Sequence, residues 1–315
     1  SICINGFPDG KPRYQDFCEE LDMWTRMSDF YTEGKAIIAL SEILYHYRKM
    51  DGLSSNHFNM ILKMRYTKQN LLRRRSGEKE LTFIEFYESL SEKEIKRLKK
   101  DALAGLEFLR SLGKFSKIGL AGHSEGGTIA FLLAGEGMTD FIISLAGTAT
   151  DGATVLVEQN HKILKGNGIP ESAVDDYCEV LAKLYADPDM TTEELGKLAA
   201  GLAPDMKQNI MGIRETKDPW VQHFISFDPG EAIRKIECPV LALNGEKDVQ
   251  VIADSNIPAL QNLLKDTGKN KIKTYPDLNH LFQHCETGMP DEYGKIEETM
   301  STEVLDDMTN WIKEL

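Results

Sequence analysis

Residues 117–130 read KIGLAGHSEGGTIA: an apolar run, a serine between two close glycines, then an apolar helix start. That order constrains the backbone more than any other feature of the chain. An apolar run that passes at once into a helical pattern needs a tight strand-to-helix turn. Glycine at 122 and 126 removes the Cβ atoms that would block strained backbone and close helix–strand contact. On such a turn the Ser124 hydroxyl is pushed outward. The N–H of Glu125 then falls beside it at a helix N-terminus, whose dipole favours developing negative charge.

The turn sits in a wider alternation. Short apolar runs at Lys117 to Ala121, Phe141 to Ala146, Pro239 to Asn244 and Lys271 to Tyr275 are each closed by Gly, Asp, Pro or Asn and separated by longer helical patterns. This is the signature of β-α-β units building a mostly parallel sheet flanked by helices, an α/β fold. Ile95, Leu98, Ala102, Leu106 and Leu109 recur at helical steps before the first run, and Val304, Leu305, Met308, Trp311, Ile312 and Leu315 after Ser301 form a closing amphipathic helix. Between the second and third runs, residues 148–237 show helix signals and no strand. Thr191 with Glu194 reads as a capping box, and Asp228-Pro229 as a cap with proline at the first helical position. Such a block falls above strand ends, where ligands bind.

Parallel strands deliver their C-terminal loops to one sheet edge, so the runs also nominate chemistry. A serine hydroxyl needs a general base, and the base an orienting acid. Leu241 to Asp248 is a strand and loop ending in an acid, and Tyr275 to His280 a strand and loop ending in histidine. Ser124, Asp248 and His280 can therefore meet at the edge where the serine turn emerges. Glu246 is a weaker acid candidate because it lies earlier in the loop, Asp277 reads as a turn cap, and His123 as a packing residue. His46, His57, His161, His223 and His284 lack partners at metal-ligand spacing, so no metal is expected. Trp220, Phe224 and Phe227 are either core residues or part of a substrate wall.

Composition closes off other classes. With 37 Lys/Arg against 50 Asp/Glu, the net charge of −13 repels polyphosphate, which makes nucleic acid a poor partner. No apolar run reaches the roughly 20 residues a membrane span requires. Five widely spaced cysteines without a C-x-x-C pair argue for buried thiols rather than disulfides or zinc. A cytoplasmic location is expected, or a periplasmic or secreted one if a leader preceded Ser1. Residues 45–79 stand apart, with Arg48, Lys49, Lys63, Arg65, Lys68, Arg73, Arg74, Arg75 and Lys79 against Asp51 and Glu78. Either a solvated helix face or a docking arm for an anion accounts for that stretch.

The motifs together resemble the α/β-hydrolase fold family, specifically its bacterial esterase and serine-aminopeptidase-like branch, whose turn often reads G-H-S-E-G-G. The resemblance covers residues 100–315 and includes FIISLAG at 141–147, CPVLALNGEKD at 238–248 and LNHLFQ at 278–283. It implies one hydrolase domain over 1–315, a helical cap at 148–237, Ser124 as nucleophile, His280 as base and Asp248 as its orienter, with no cofactor. One oxyanion donor would be the Glu125 N–H. The second would come from Phe7, because Ile2 to Pro8 is similar to a strand leading into a His-Gly-Phe-Pro loop, with Asn5 in place of His. A surface turn over Phe7 to Gly10 fits those residues as well. A further strand and Asp-x-Arg-Gly-like turn of the family are missing, and the basic stretch 45–79, within an atypical basic and helical segment 36–90, occupies their place. The expected activity is cleavage of small to medium carboxylic esters through an acyl-enzyme, with peptidase and thioesterase as variants. The alternative is a non-catalytic relative that binds a small molecule.

Overall fold

A computed structural model describes residues 35–40, 99–216 and 219–315, with backbone only for 35–40, 219 and 220. The strands are β1 (Lys35–Leu40), β2 (Lys117–His123), β3 (Phe141–Leu145), β4 (Val240–Gly245) and β5 (Lys271–Tyr275). They form one all-parallel sheet in the order of the chain. Parallel pairing requires crossovers. The described ones are α2 (Glu125–Gly135) between β2 and β3, a set of helices between β3 and β4, and α9 (Ala253–Leu263) between β4 and β5. Helix α1 (residues 99–111) precedes β2, and α10 (Thr302–Lys313) follows β5.

The four apolar runs are strands, with β2 extended to His123 and β3 ending at Leu145. Strand β1 is an addition. KAIIAL lies in the N-terminal third, and the segment 36–90 that reads as basic and helical opens with this strand. Its remainder, including residues 45–79, lies outside the described residues, as do Ile95, Leu98 and Phe7.

Period-two alternation divides the buried strand residues between two layers. Ile118, Leu120, Ile142, Val240 and Ala242 pack with α1 through Ala102 and Leu106, with α2 through Ile129, Phe131 and Leu133, and with α9 through Leu260. On the other face Phe141, Ile143, Leu145, Leu241, Leu243 and Tyr275 meet Val304, Leu305, Met308, Trp311 and Ile312 of α10. Trp311 crosses the Phe141 ring edge-on at 6.1 Å, and its indole N–H donates to the Lys269 carbonyl at 2.9 Å, so a large apolar surface is buried with its polar atom satisfied. Ser301 precedes this helix as expected, although its hydroxyl makes no capping bond.

Between β3 and β4 run α3 (Gly152–Gly166), α4 (Glu171–Ala186), α5 (Thr192–Leu198), α6 (Pro204–Thr216), α7 (Pro219–Ile225) and α8 (Gly230–Arg234), with no strand among the described residues there. Asp151 caps α3 through the Thr154 N–H, and Thr191 and Glu194 form the capping box of α5. Helices α3 to α7 have a core of their own, with Val174, Tyr177, Leu181, Leu184, Leu195, Ile210 and Ile225 at its centre. Helix α8 belongs to the sheet instead, since Ile233 packs in the layer with α2. It starts one residue later than the sequence suggests: Asp228 accepts the Gly230 N–H at 2.7 Å and Pro229 is the cap. Among the described residues no helix is long and apolar enough to cross a membrane.

Candidate active site

Because all strands are parallel, the loops after β2, β3, β4 and β5 open on one edge. At the first of them, Ser124 has φ 54° and ψ −119°, a sparsely populated region for a residue with a side chain. Its surroundings hold it there. The Ser124 N–H donates to the Leu145 carbonyl at 2.7 Å, and its own carbonyl accepts from the Thr128 N–H at 3.1 Å. A Cβ on Gly122 would lie 2.1 Å from the Gly126 carbonyl oxygen, and one on Gly127 would lie 2.7 Å from Ser144 Oγ, so strand and helix approach as closely as only glycine permits. Glu125 is the first residue of α2, which places its N–H at a helix N-terminus.

Asp248, after β4, has a fully buried carboxylate with both oxygens engaged. Oδ1 accepts the Gln250 and Val251 N–H groups at 2.8 and 2.9 Å, and Oδ2 faces His280 Nδ1 at 2.8 Å. A carboxylate only accepts, so Nδ1 of His280 carries the proton and Nε2 of the neutral ring holds a lone pair. The loop after β5 is equally constrained. Asn279 Oδ1 accepts the Leu281 and Gln283 N–H groups, and its amide donates to Gln283 Oε1. Two further ties bind this loop to the one carrying Asp248: Gly245 packs against the Leu278 carbonyl, and Lys247 pairs with Asp277 at 2.7 Å. Asp277 thus bridges loops instead of capping its own turn, and its backbone stands at φ 61°.

His123 joins the two halves of the site. Its ring lies 4.6 Å from that of His280 and 6.4 Å from Phe282, and its Nε2 is 2.8 Å from the His280 carbonyl. Since a carbonyl only accepts, His123 is the Nε2–H tautomer. Burial, reinforced by the adjacent His280, lowers its pKa to about 3, against the opposing pull of the hydrogen bond to the His280 carbonyl. The contact sets His280 beside the residue preceding Ser124. No hydrogen bond joins the Ser124 hydroxyl to His280.

Comparison with known proteins finds partial likenesses. Residues 226–315 match the model of the dienelactone hydrolase family. Esterase EstD of Thermotoga maritima is 24% identical over 234 residues, which are 73% of this chain and 51% of that protein. The chain thus spans about half the length of the curated relative it matches. Similar solved structures include the acylaminoacyl peptidase of Pyrococcus horikoshii, at 14% identity and a TM-score of 0.39 over 75% of this chain and 30% of that one. Another is acetyl xylan esterase 1 of Thermoanaerobacterium sp. JW/SL YS485, at 17% identity and 0.34 over 58% and 47%. The chain has an α/β-hydrolase fold, a parallel sheet with flanking helices whose serine turn, acid and histidine loops open on one edge.

The other candidate residues fall as follows. Glu246 is exposed, so Asp248 and not Glu246 meets His280. Phe224 packs against Gly152 at the first turn of α3, and Phe227 accepts the Gly152 N–H through its carbonyl. The side chain of Trp220 and residue Phe7 lie outside the described residues. His284 pairs with Glu298 and His161 with Asp175, both on the surface, and His46 and His57 are not among the described residues. No group of three potential metal ligands occurs among the described residues. Sequence reasoning passes over Asn244, whose amide lies 3.4 Å from Asp248 Oδ2, and Asn256, which hydrogen-bonds Asn244; they are 0% and 2% exposed. Their signal is polarity where an apolar residue is expected, at the end of a buried strand and on the inner side of α9.

Proposed function

We propose that the chain is a serine hydrolase that cleaves small to medium carboxylic esters through an acyl-enzyme. The observation that carries this reading is the buried 2.8 Å contact between His280 Nδ1 and Asp248, formed beside a serine held in strained backbone. His280 Nε2 takes the Ser124 proton as Oγ attacks the ester carbonyl, and passes that proton to the departing alcohol. A water molecule then attacks the acyl-enzyme, giving a proton to His280, which returns it to Ser124 Oγ as the carboxylic acid leaves. Asp248 fixes the tautomer and stabilises the imidazolium, and the Glu125 N–H at the head of α2 is an oxyanion donor. Helices α3 to α7 act as a cap over the strand ends, and their separate core suits a unit that shapes a substrate pocket. The match to the dienelactone hydrolase family and to a protein named as an esterase supports ester substrates over peptides or thioesters.

The experiment is hydrolysis of p-nitrophenyl acetate and butyrate by wild type and Ser124→Ala, together with labelling by a fluorophosphonate probe. Turnover and labelling are expected in wild type and a loss of at least about a thousandfold in the variant. Equal rates for both proteins, or a wild type that takes no label, would leave the non-catalytic binding protein as the better account.

A further inference from the structure

The acid is held by more than its own loop. Asn244 Nδ2 lies 3.4 Å from Asp248 Oδ2 and donates to the Val251 carbonyl at 3.0 Å. Its Oδ1 accepts from Asn256 Nδ2 at 2.9 Å. Asn256 also donates to the Gly147 carbonyl at 3.0 Å and accepts the Ala149 N–H at 2.7 Å. Gly147 and Ala149 belong to the short segment between β3 and the Asp151 cap of α3, which is the root of the inserted helices. One residue earlier on α9, Ser255 donates to Glu158 of α3 at 2.6 Å. A single turn of α9 therefore grips both the inserted layer and the support of the acid.

We propose that Asn256 is a positioning residue that references the root of the inserted helices to the acid, acting through Asn244 on Asp248. The inference rests on the reading of Ser124, His280 and Asp248 as a catalytic triad. An asparagine amide can turn over with almost no change of shape, exchanging its donor and acceptor ends. Inverting Asn244 against Asn256 would set NH₂ against NH₂ at one end and oxygen against Asp248 Oδ2 and the Val251 carbonyl at the other. Both contacts are repulsive in a buried, low-dielectric site, so Asn256 permits one orientation. The root of the insertion and the hydrogen-bonding field on Asp248 are then set by one side chain.

Asn256→Asp is the sharpest test, because it keeps size and the acceptor for the Ala149 N–H but removes both donors. With p-nitrophenyl butyrate and active-site titration by fluorophosphonate, kcat should fall about tenfold with KM within about twofold. The low-field proton resonance of the His280–Asp248 hydrogen bond should move from its wild-type position. Asn244→Ala should lose a similar factor, and the double variant should be no worse than either single one, since the two side chains act in series. If Asn256→Asp does not fold, Asn256→Ser is read in the same way, its hydroxyl restoring one donor. Full kcat per titrated site, an unmoved resonance or additive losses would overturn the inference while leaving the triad reading intact. A wild type that neither hydrolyses ester nor takes label would remove the triad reading and this inference with it.

Discussion

The sheet edge and the inserted helices are held by different physics. At the edge, Asp248, His280, Asn244, Asn256 and Asn279 are almost fully buried, and each has hydrogen-bond partners. In the insertion the interior is apolar, and polar contacts lie outside it: Lys165–Glu171, Lys183–Glu179 and Lys197–Glu193 pair with their side chains about half exposed or more. Tyr177 is an exception: its hydroxyl donates to Asn209 at 2.7 Å, and burial pushes its pKa up to about 12. Buried hydrogen bonds fix atoms to fractions of an ångström because a displaced partner leaves an unsatisfied group. Apolar packing with exposed ion pairs fixes a helix but tolerates polar substitution on its surface. Under the proposed function, geometry-critical chemistry falls to the first region and adaptable shape to the second.

The contrast is tested most severely at Asp248. In Asp248→Asn the amide oxygen takes the place facing the Gln250 and Val251 N–H groups, since only an acceptor fits there. The NH₂ then faces His280 Nδ1 and the Asn244 amide. The imidazole is driven to its other tautomer, leaving Nε2 protonated and unable to accept from Ser124. A kcat lower by about four orders of magnitude is expected for ester hydrolysis, with circular dichroism unchanged. A variant within tenfold of wild type would show that the hydrogen bonds around Asp248 serve stability alone.

How far these regions can be read from the amino-acid sequence follows the same division. Buried parallel strands are near-continuous apolar runs, so β2 to β5 are legible within about two residues. Loop ends after such strands are legible too, which is why Asp248 and His280 stand out despite their separation. Strand β1 is not, because KAIIAL runs close to further apolar residues at Ile43 and Leu44, and a short apolar run without flanking breaks on both sides does not distinguish strand from helix. Asn256 is hidden for a different reason: its partners, Gly147, Ala149 and Asn244, come from two other segments, and no spacing rule links them. Likewise the bridge from Asp277 to Lys247 exists only once the two loops are side by side.

A middle-sized effect separates His123 from ordinary packing residues. Its pKa is about 3 in the folded chain against 6.5 for a free imidazole. Between those values the unfolded chain takes up a proton that the folded chain refuses, so this contribution to stability is complete above about pH 6.5 and is lost as pH falls toward 3. The slope is at most about 1.4 kcal/mol per pH unit. His123→Phe keeps a ring against His280 but leaves the His280 carbonyl without its donor. The variant should be less stable at pH 7 by about 1–3 kcal/mol and should lose less stability than wild type between pH 6.5 and 4. Urea melts across that range check both parts, and parallel curves for the two proteins would assign the acid sensitivity elsewhere.

The smallest effect is expected in the inserted layer. Lys183 and Glu179 lie one turn apart on α4, at 2.6 Å, with side chains 48% and 67% exposed. Solvent screens such a pair, and holding two long side chains together offsets much of the attraction. Lys183→Gln keeps helix propensity and length, so its melting temperature should stay within about one degree of wild type, with kcat for p-nitrophenyl butyrate unchanged. Raising salt should move wild type and variant alike. A loss of stability comparable to that of His123→Phe would mean that the insertion is tied together as tightly as the sheet edge, and the division between a fixed chemical edge and an adaptable layer would fail at its weaker side.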